Sequence, residues 1–286
     1  MALKQLFSSR NLYTIFHSSK FQSVFGDILN KIQFRKDIPI HVQEHLMYAD
    51  TIDRLLSLFL WKYKTFDNYE YKLLSTILEK GMVALDIGAN IGAYSLHMAN
   101  QVGAEGRVFA FEPDPANCSL FVKNINANGY KNIKVVPKAV SDISGSARLY
   151  LCRGNRGDHH IFHSSDDRES IEIASVKLDE YFSDAVPIDV IKMDIQGAEF
   201  LAFIGMKNIL SKYNTRIITE FCPSLMKQCG QKPEAFLDQI ESYGFTINYI
   251  NEHDETLDTT TPVELMAICD KAKYINLYLE KRNRIY

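Results

Sequence analysis

Residues Val83 to Leu96 constrain the fold more than any other stretch of this chain. Val83-Ala-Leu-Asp-Ile87 is an apolar run carrying one acid, Asp86, and it breaks into the turn Gly88-Ala-Asn-Ile-Gly92. Tyr94, Leu96 and Met98 then begin an amphipathic helix. The order predicts a strand, a tight glycine loop and a helix, which lets backbone approach a nucleotide-like ligand closely. A second apolar run, Val108 to Phe111, ends in Glu112. A carboxylate there can accept two hydrogen bonds from a ribose diol. Gly88 and Gly92 permit the turn, and Asn90 tolerates unusual backbone angles while offering an amide. Tight packing of the loop is the alternative reading of the two glycines.

A dinucleotide fingerprint reads Gly-x-Gly-x-x-Gly and sets a helix N-terminus against a pyrophosphate. This loop lacks the middle glycine and carries Asp86 two residues before the first one. A buried carboxylate repels a pyrophosphate but attracts an ammonium or a sulfonium. S-adenosyl-L-methionine has both cations and no phosphate. It is the expected cofactor, ahead of a nicotinamide or flavin dinucleotide and of a ligand-free structural turn.

Asp86-Ile-Gly-Ala-Asn-Ile-Gly92, Phe111-Glu-Pro-Asp114 and Ile191-Lys-Met-Asp-Ile-Gln-Gly-Ala-Glu199 together resemble the FkbM family of methyltransferases. The resemblance runs from Asp67 to Asp270 and implies the class I S-adenosylmethionine-dependent fold. The first motif is common to class I enzymes, whereas the third is specific to the family. One departure is Gln196, where many members carry Glu. By resemblance to class I enzymes, Ala139-Val-Ser-Asp142 marks the recognition of the adenine edge. Asp142 would accept from the exocyclic amine or else cap a turn into Gly145.

Strands and helices alternate from Val83 onward, which predicts a doubly wound, seven-stranded, mostly parallel α/β sheet covered on both faces. Strands are expected near Val83–Ile87, Arg107–Phe111, Ile133–Pro137, Ile188–Asp194, Thr215–Phe221, Thr246–Ile250 and Glu264–Cys269. Ala147–Cys152 and Ile171–Val176 alternate like an antiparallel hairpin and mark an insertion over residues 146–176. Residues 67–286 are expected to form the catalytic domain. Residues 1–66 read as a helical extension, broken near Pro39, that could roof the cofactor cleft.

Ile188, Val190, Ile191, Met193 and Ile195 mark a central strand buried on both faces. Alternation places Lys192, Asp194 and Gln196 on one side of it. A lysine there must be paired, because an isolated buried charge is costly. One reading is an ion pair of Lys192 with Asp194 or Asp86 that only holds the sheet. The other is a polar floor beneath the reacting methyl group, with Asp194 as base or orienter. Glu199 falls in the first turn of the following helix, where the macrodipole alone favours an acid. Glu220 ends the next strand across the same crevice and is a weaker candidate. In the insertion, His160 beside His159 has a side chain suited to taking a hydroxyl proton, or lies in a solvated loop.

His41-Val-Gln-Glu-His45 matches an inverted zinc-protease signature but lacks a further ligand, so it reads as a surface helix or loop and no metal is expected. A net charge of −3 creates no global positive field toward nucleic acid or anionic membranes. The basic run Lys271 to Arg284 reads as a solvated helix face. Five cysteines without a Cys-x-x-Cys pair argue for reduced thiols and a cytoplasmic setting. The first two dozen residues lack acids and carry Lys4, Arg10 and Lys20, which is either a faint organelle-targeting signal or an ordinary basic helix. No apolar run reaches transmembrane length.

The expected activity is transfer of a sulfonium methyl group to oxygen, or else nitrogen, on a small molecule or glycan. Asp194-Ile-Gln-Gly197 is not the Asn/Asp-Pro-Pro-aromatic tetrad of base-modifying enzymes, which disfavours nucleic acid as the acceptor. A non-catalytic regulator on the same fold and an NAD-dependent oxidoreductase are the other readings.

Overall fold

Ala84, Leu85, Asp86 and Ile87 are all buried, so the strand they form needs cover on both faces. The computed structural model describes residues 37–50, 69–152, 155–163, 167–182 and 186–281. In it this strand, β3 (Val83–Ile87), lies inside an eight-stranded sheet. The others are β4 (Arg107–Phe111), β5 (Ile133–Val136), β9 (Val190–Met193), β10 (Arg216–Phe221), β11 (Phe245–Asn251), β12 (Thr256–Thr259) and β13 (Ile275–Lys281). Their spatial order is β12–β11–β13–β10–β9–β3–β4–β5. The five strands from β10 to β5 run parallel, and β13 enters antiparallel between β10 and β11.

Helices cover both faces. Leu85, Ile87, Ile191 and Ile217 pack toward Phe203 of α5 (Glu199–Gly205) and Phe236 of α8 (Pro233–Ser242). Ala84, Val108, Val190 and Ile218 pack toward Leu74 of α1 (Tyr69–Ile77) and Met98 of α2 (Ala93–Val102). The remaining helices are α3 (Pro115–Asn128), α4 (Leu178–Tyr181), α6 (Lys207–Lys212), α7 (Pro223–Gln228) and α9 (Pro262–Ala272). α5 and α6 follow one another directly and are broken at Met206.

The sequence expectation fails at the C-terminal end. Glu264–Cys269 is not a strand but the middle of α9. Thr261 caps that helix, its hydroxyl accepting from the Glu264 amide while the Glu264 carboxylate accepts from the Thr261 amide, and Pro262 takes the first position. The strand that fills the sheet is β13, cut from the basic run read as a solvated helix face. Ile275, Leu277 and Leu279 bury one side of β13, and Tyr278 buries the other.

Residues 38–49 correct the helical reading of the N-terminal region. They form an antiparallel hairpin, β1 (Ile38–Val42) and β2 (His45–Ala49), with Gln43 and Glu44 in the turn. The rest of that reading lies outside the described residues. Asn124 and Asn128 of α3, one turn apart, each donate to and accept from the backbone of β2, at Tyr48 and Leu46. The hairpin thus docks on a helix through amides that imitate a neighbouring strand. His41 lies opposite Leu46 and His45 opposite Val42, and His45 contacts the Tyr130 hydroxyl. Among the described residues no group of three potential ligands is placed to hold a metal ion.

The insertion forms as expected. β7 (Gly145–Tyr150) and β8 (Ser170–Val176) pair antiparallel, and β6 (Ala139–Val140) joins β8 to complete a second, three-stranded sheet.

Candidate active site

The chain leaves β3 toward β4 and β5 and returns on the other side of β3 through β9. A sheet of this kind opens a crevice at the carboxyl ends where the order reverses. Here the Asp194 amide donates to the Ile87 carbonyl at 3.0 Å, so the ends of β3 and β9 meet at that point. A cleft lies above it. One wall is the loop after β3, with Gly88 and Asn90, and the end of β4, with Phe111 and Glu112. Asp194, Gln196 and Ala198 form the floor, and Leu149, Arg156, His159 and Ile161 of the insertion complete the lining.

Gly88 and Gly92 hold positive φ, and what they avoid is protein. A Cβ on Gly88 would stand 1.9 Å from the Asp194 carbonyl oxygen, and one on Gly92 would stand 2.1 Å from the Phe121 ring. Tight packing therefore accounts for both glycines, and Gly88 in addition borders the cleft. Gly88→Ala is expected to cost about 2–4 kcal/mol of stability with no ligand present, because left-handed strain and backbone overlap add. Denaturant unfolding of the unliganded protein checks this, and an unchanged midpoint would restore a purely ligand-facing role. Asn90 also holds a positive φ, of 50°. Its side-chain oxygen accepts from the Ile91 amide.

Glu112 is buried and accepts from the amides of Asn90 at 2.8 Å and Asp114 at 2.9 Å, and from the Asn117 side chain at 3.4 Å. Burial pushes its carboxyl up to about 7 against those donors. A carboxylate offers about four lone-pair sites, so acceptor capacity remains on the cleft side. Asp86, buried beneath the loop, accepts from the Ser95 hydroxyl, and burial raises it to about 6.

The segment from Asp194 to Glu199 is a turn built around Glu199. Its Oε1 accepts from the amides of Ile195 and Gly197, which ties the turn to the first residue of α5. The other carboxylate oxygen is buried without a hydrogen-bond partner, and burial raises the group to about 7. Gln196 takes a φ of +53° there. Its amide reaches Asp194 Oδ1 at 2.7 Å and Glu220 Oε2 at 3.5 Å. Burial first, then the charges of Asp194 and Glu199, hold Glu220 well above the ordinary carboxyl range.

Lys192 does not pair as the sequence suggests. Its ammonium stands 3.3 Å from Glu70 of α1 and over the Tyr94 ring, and both charged groups are buried. Burial opposes its charge, but Glu70, Asp194 and Asp86 together hold its pKa above the usual lysine value. With Lys192 engaged by Glu70, Asp194 turns to the cleft.

The insertion contributes differently from the expectation. His160 is buried away from the cleft, stacked on Phe162 and in contact with Asp158 and Arg168. His159 borders the cleft instead, with both ring nitrogens occupied by the Cys152 amide and by Asp114. Neither imidazole is set to take a substrate proton. Asp142 is half-buried, accepts from the Ser141 hydroxyl and does not border the cleft, whose edge there is Lys138, Ala139 and Val140. Glu70 and Arg156 carried no sequence signal, and His159 entered only as the neighbour of His160. Asp114 did, since Asp-Pro reads as a helix cap followed by a first-position proline.

Residues 86–255 match the Methyltransferase FkbM domain, 170 of the 286 residues. The chain belongs to the FkbM methyltransferase family. It is an S-adenosylmethionine-dependent methyltransferase, which sets aside the oxidoreductase reading. A curated relative, the 2-O-methyltransferase NoeI of Sinorhizobium fredii (strain NBRC 101917 / NGR234), is 28% identical over 193 residues, 60% of this chain and 77% of that one. Methyltransferase FkbM from Methylobacillus flagellatus KT superposes at a TM-score of 0.43 and 17% identity, covering 81% of this chain and 55% of that one. A Streptococcus mutans structure in complex with SAH superposes at 0.44 and 13% identity, covering 74% and 96%.

The donor set of this FkbM domain suits its family's cofactor. The apolar side chains of Ile87, Phe111, Val140 and Ile161 can flank a planar base. The acceptor site left on Glu112 suits a ribose hydroxyl. Arg156, which would oppose a cation, is neutralised by Asp114 at 2.8 Å.

Proposed function

We propose that this methyltransferase methylates a hydroxyl oxygen of a small molecule or glycan, with Asp194 accepting the hydroxyl proton. The observation that carries the reading is the division of charge at the floor. Lys192 is spent on Glu70, while Asp194 stands on the cleft surface, oriented by the Gln196 amide. S-adenosylmethionine supplies an electrophilic methyl group on a sulfonium. The residues of this chain align the acceptor oxygen, exclude water and hold the proton released from the hydroxyl on Asp194 until solvent takes it. Glu112 binds the ribose, Asp86 supports the loop from below, and Glu199 fixes the turn that carries Gln196. The name of the similar Sinorhizobium protein, a 2-O-methyltransferase, supports oxygen as the acceptor atom. Residues 67–286 serve as the catalytic unit. None of the five cysteines is held in a disulfide, which supports a reducing, cytoplasmic setting. Among the described residues no helix is long and apolar enough to cross a membrane.

Methyl-labelled cofactor offered with panels of oligosaccharides, small alcohols and the matching amines tests the acceptor atom. Label in alkali-stable ethers supports the proposal, and transfer confined to amines or nucleobases overturns it. Cofactor recognition is tested separately. Glu112→Ala removes acceptors worth about 1.5–3 kcal/mol each and should weaken S-adenosylhomocysteine binding tenfold or more by calorimetry. In the native enzyme the affinity should fall as pH drops through about 7, because the Glu112 carboxyl takes a proton there and loses acceptor capacity. A flat profile from pH ~6 to ~8.5 would remove Glu112 from the ribose.

A further inference from the structure

Asp114 is a hub whose connections the reaction does not explain. Its amide donates to Glu112 Oε1 at 2.9 Å, which ties it to the proposed ribose carboxylate. Its Oδ1 accepts from the Ala116 amide and so caps α3. Its Oδ2 receives two groups from the insertion, the Arg156 guanidinium at 2.8 Å and His159 Nε2 at 3.3 Å. The Asp114 and His159 side chains are both more than nine-tenths buried. The His159 tautomer follows from its neighbours. Nδ1 accepts from the Cys152 amide at 3.0 Å, so the proton sits on Nε2 and points at Asp114.

The segment so held is a wall of the cleft. Arg156, Gly157, His159 and Ile161 all border it, and a Cβ on Gly157 would lie 3.5 Å from the Asn90 side chain on the facing loop. The segment is braced from behind as well. Arg168 binds both the carboxylate and the carbonyl of Asp158, and Tyr150 and His160 exchange backbone hydrogen bonds. Sequence logic assigns an insertion above a cofactor crevice to the acceptor. Here its anchor lies two residues from the ribose carboxylate, in the cofactor half of the cleft.

We infer that Asp114 is a positioning residue for the cofactor, which clamps the segment from Asn155 to Ile161 across the bound nucleoside through Arg156 and His159 and so sets how fast the nucleoside leaves. The inference rests on the cofactor site proposed above. Breaking the clamp frees the wall without touching the ribose acceptor, so dissociation accelerates more than association changes. The test is stopped-flow dissociation of S-adenosylhomocysteine from the full chain, with thermal unfolding of each unliganded variant. Asp114→Asn keeps a good helix cap while discharging the clamp, and Arg156→Gln breaks it from the other side. Each should raise the dissociation rate tenfold or more, and the double variant should add little to either single one, because both remove one interaction. Glu112→Ala serves as the control. Unchanged binding in that variant would remove the cofactor-site reading itself. Weakened binding there, with wild-type dissociation rates in Asp114→Asn and Arg156→Gln, would overturn the clamp alone. A lower melting temperature with unchanged rates would leave Asp114 a purely structural cap and also overturn it.

Discussion

Asp194→Asn is expected to leave S-adenosylhomocysteine affinity within a few-fold of wild type and to cut turnover by about a hundredfold or more. The substitution keeps the size of the side chain and an acceptor oxygen for the Gln196 amide, which now meets Asp194 Oδ1 at 2.7 Å. Only the charge is lost, and with it the capacity to hold the acceptor's proton. General-base groups contribute about 10²–10⁴ in rate, which makes the loss large against any change in packing. The competing account, an Asp194–Lys192 pair that merely holds the sheet, predicts a lower melting temperature with activity per folded molecule preserved. The contact of Lys192 with Glu70 argues against it, since that pair survives in the variant. Turnover and thermal unfolding on one preparation decide the matter. Full activity in Asp194→Asn would move the base to Glu220, on the other side of the same amide.

The legible parts of this chain were those in which local chemistry and tertiary role coincide. Val83 to Gly92 reads as strand and turn because apolar residues give way to glycines that must hold positive φ, and that is how β3 and its loop are built. Pro115–Asn128 was readable to the residue, since Asp114 caps it, Pro115 opens it and Gly129 closes it in the left-handed region. Glu264–Cys269 misled because Leu265, Ile268 and Cys269 look like strand residues when the capping box at Thr261 is overlooked. The basic run around Lys273 hid β13 for the complementary reason. Its lysines flank the strand, whereas Ile275, Leu277 and Leu279 carry the alternation.

Site geometry was less legible than the fold, and the difference is one of sequence separation. The acids Asp86, Glu112 and Asp194 announce themselves by standing at strand ends. Their partners do not. Asp114 meets Arg156 and His159 across the whole of β5, β6 and β7. His159 and His160 are adjacent in an irregular segment, where no period fixes which side chain faces the cleft. The loop glycines pose the same problem. The sequence shows that Gly88 must lack a side chain, and only the fold shows that the Asp194 carbonyl is the reason.

Lys192 gives the sharpest case, and its test carries the largest expected loss of stability. Glu70→Gln should destabilise the protein by about 3–5 kcal/mol, because it leaves a buried ammonium without its nearest counter-charge. The side chains are 4% and 2% exposed, so water cannot take over the role. The glutamine retains an acceptor for the Asn276 amide that Glu70 now receives, so the effect isolates charge from hydrogen bonding. In the variant the counter-charges left to Lys192 are Asp86 and Asp194. Drawing the ammonium toward Asp194 would neutralise the proposed base, so turnover should fall beyond what the unfolded fraction explains. Lys192→Met placed on Glu70→Gln removes the orphaned charge and should recover much of the stability, since the cost of breaking a buried pair lies mainly in the charge left uncompensated. Urea unfolding of the two single variants and the double variant measures the coupling directly. A cost below about 1 kcal/mol for Glu70→Gln would mean that Asp86 and Asp194 already satisfy the ammonium, and the division of charge at the cleft floor would have to be redrawn with Lys192 as part of the reacting site.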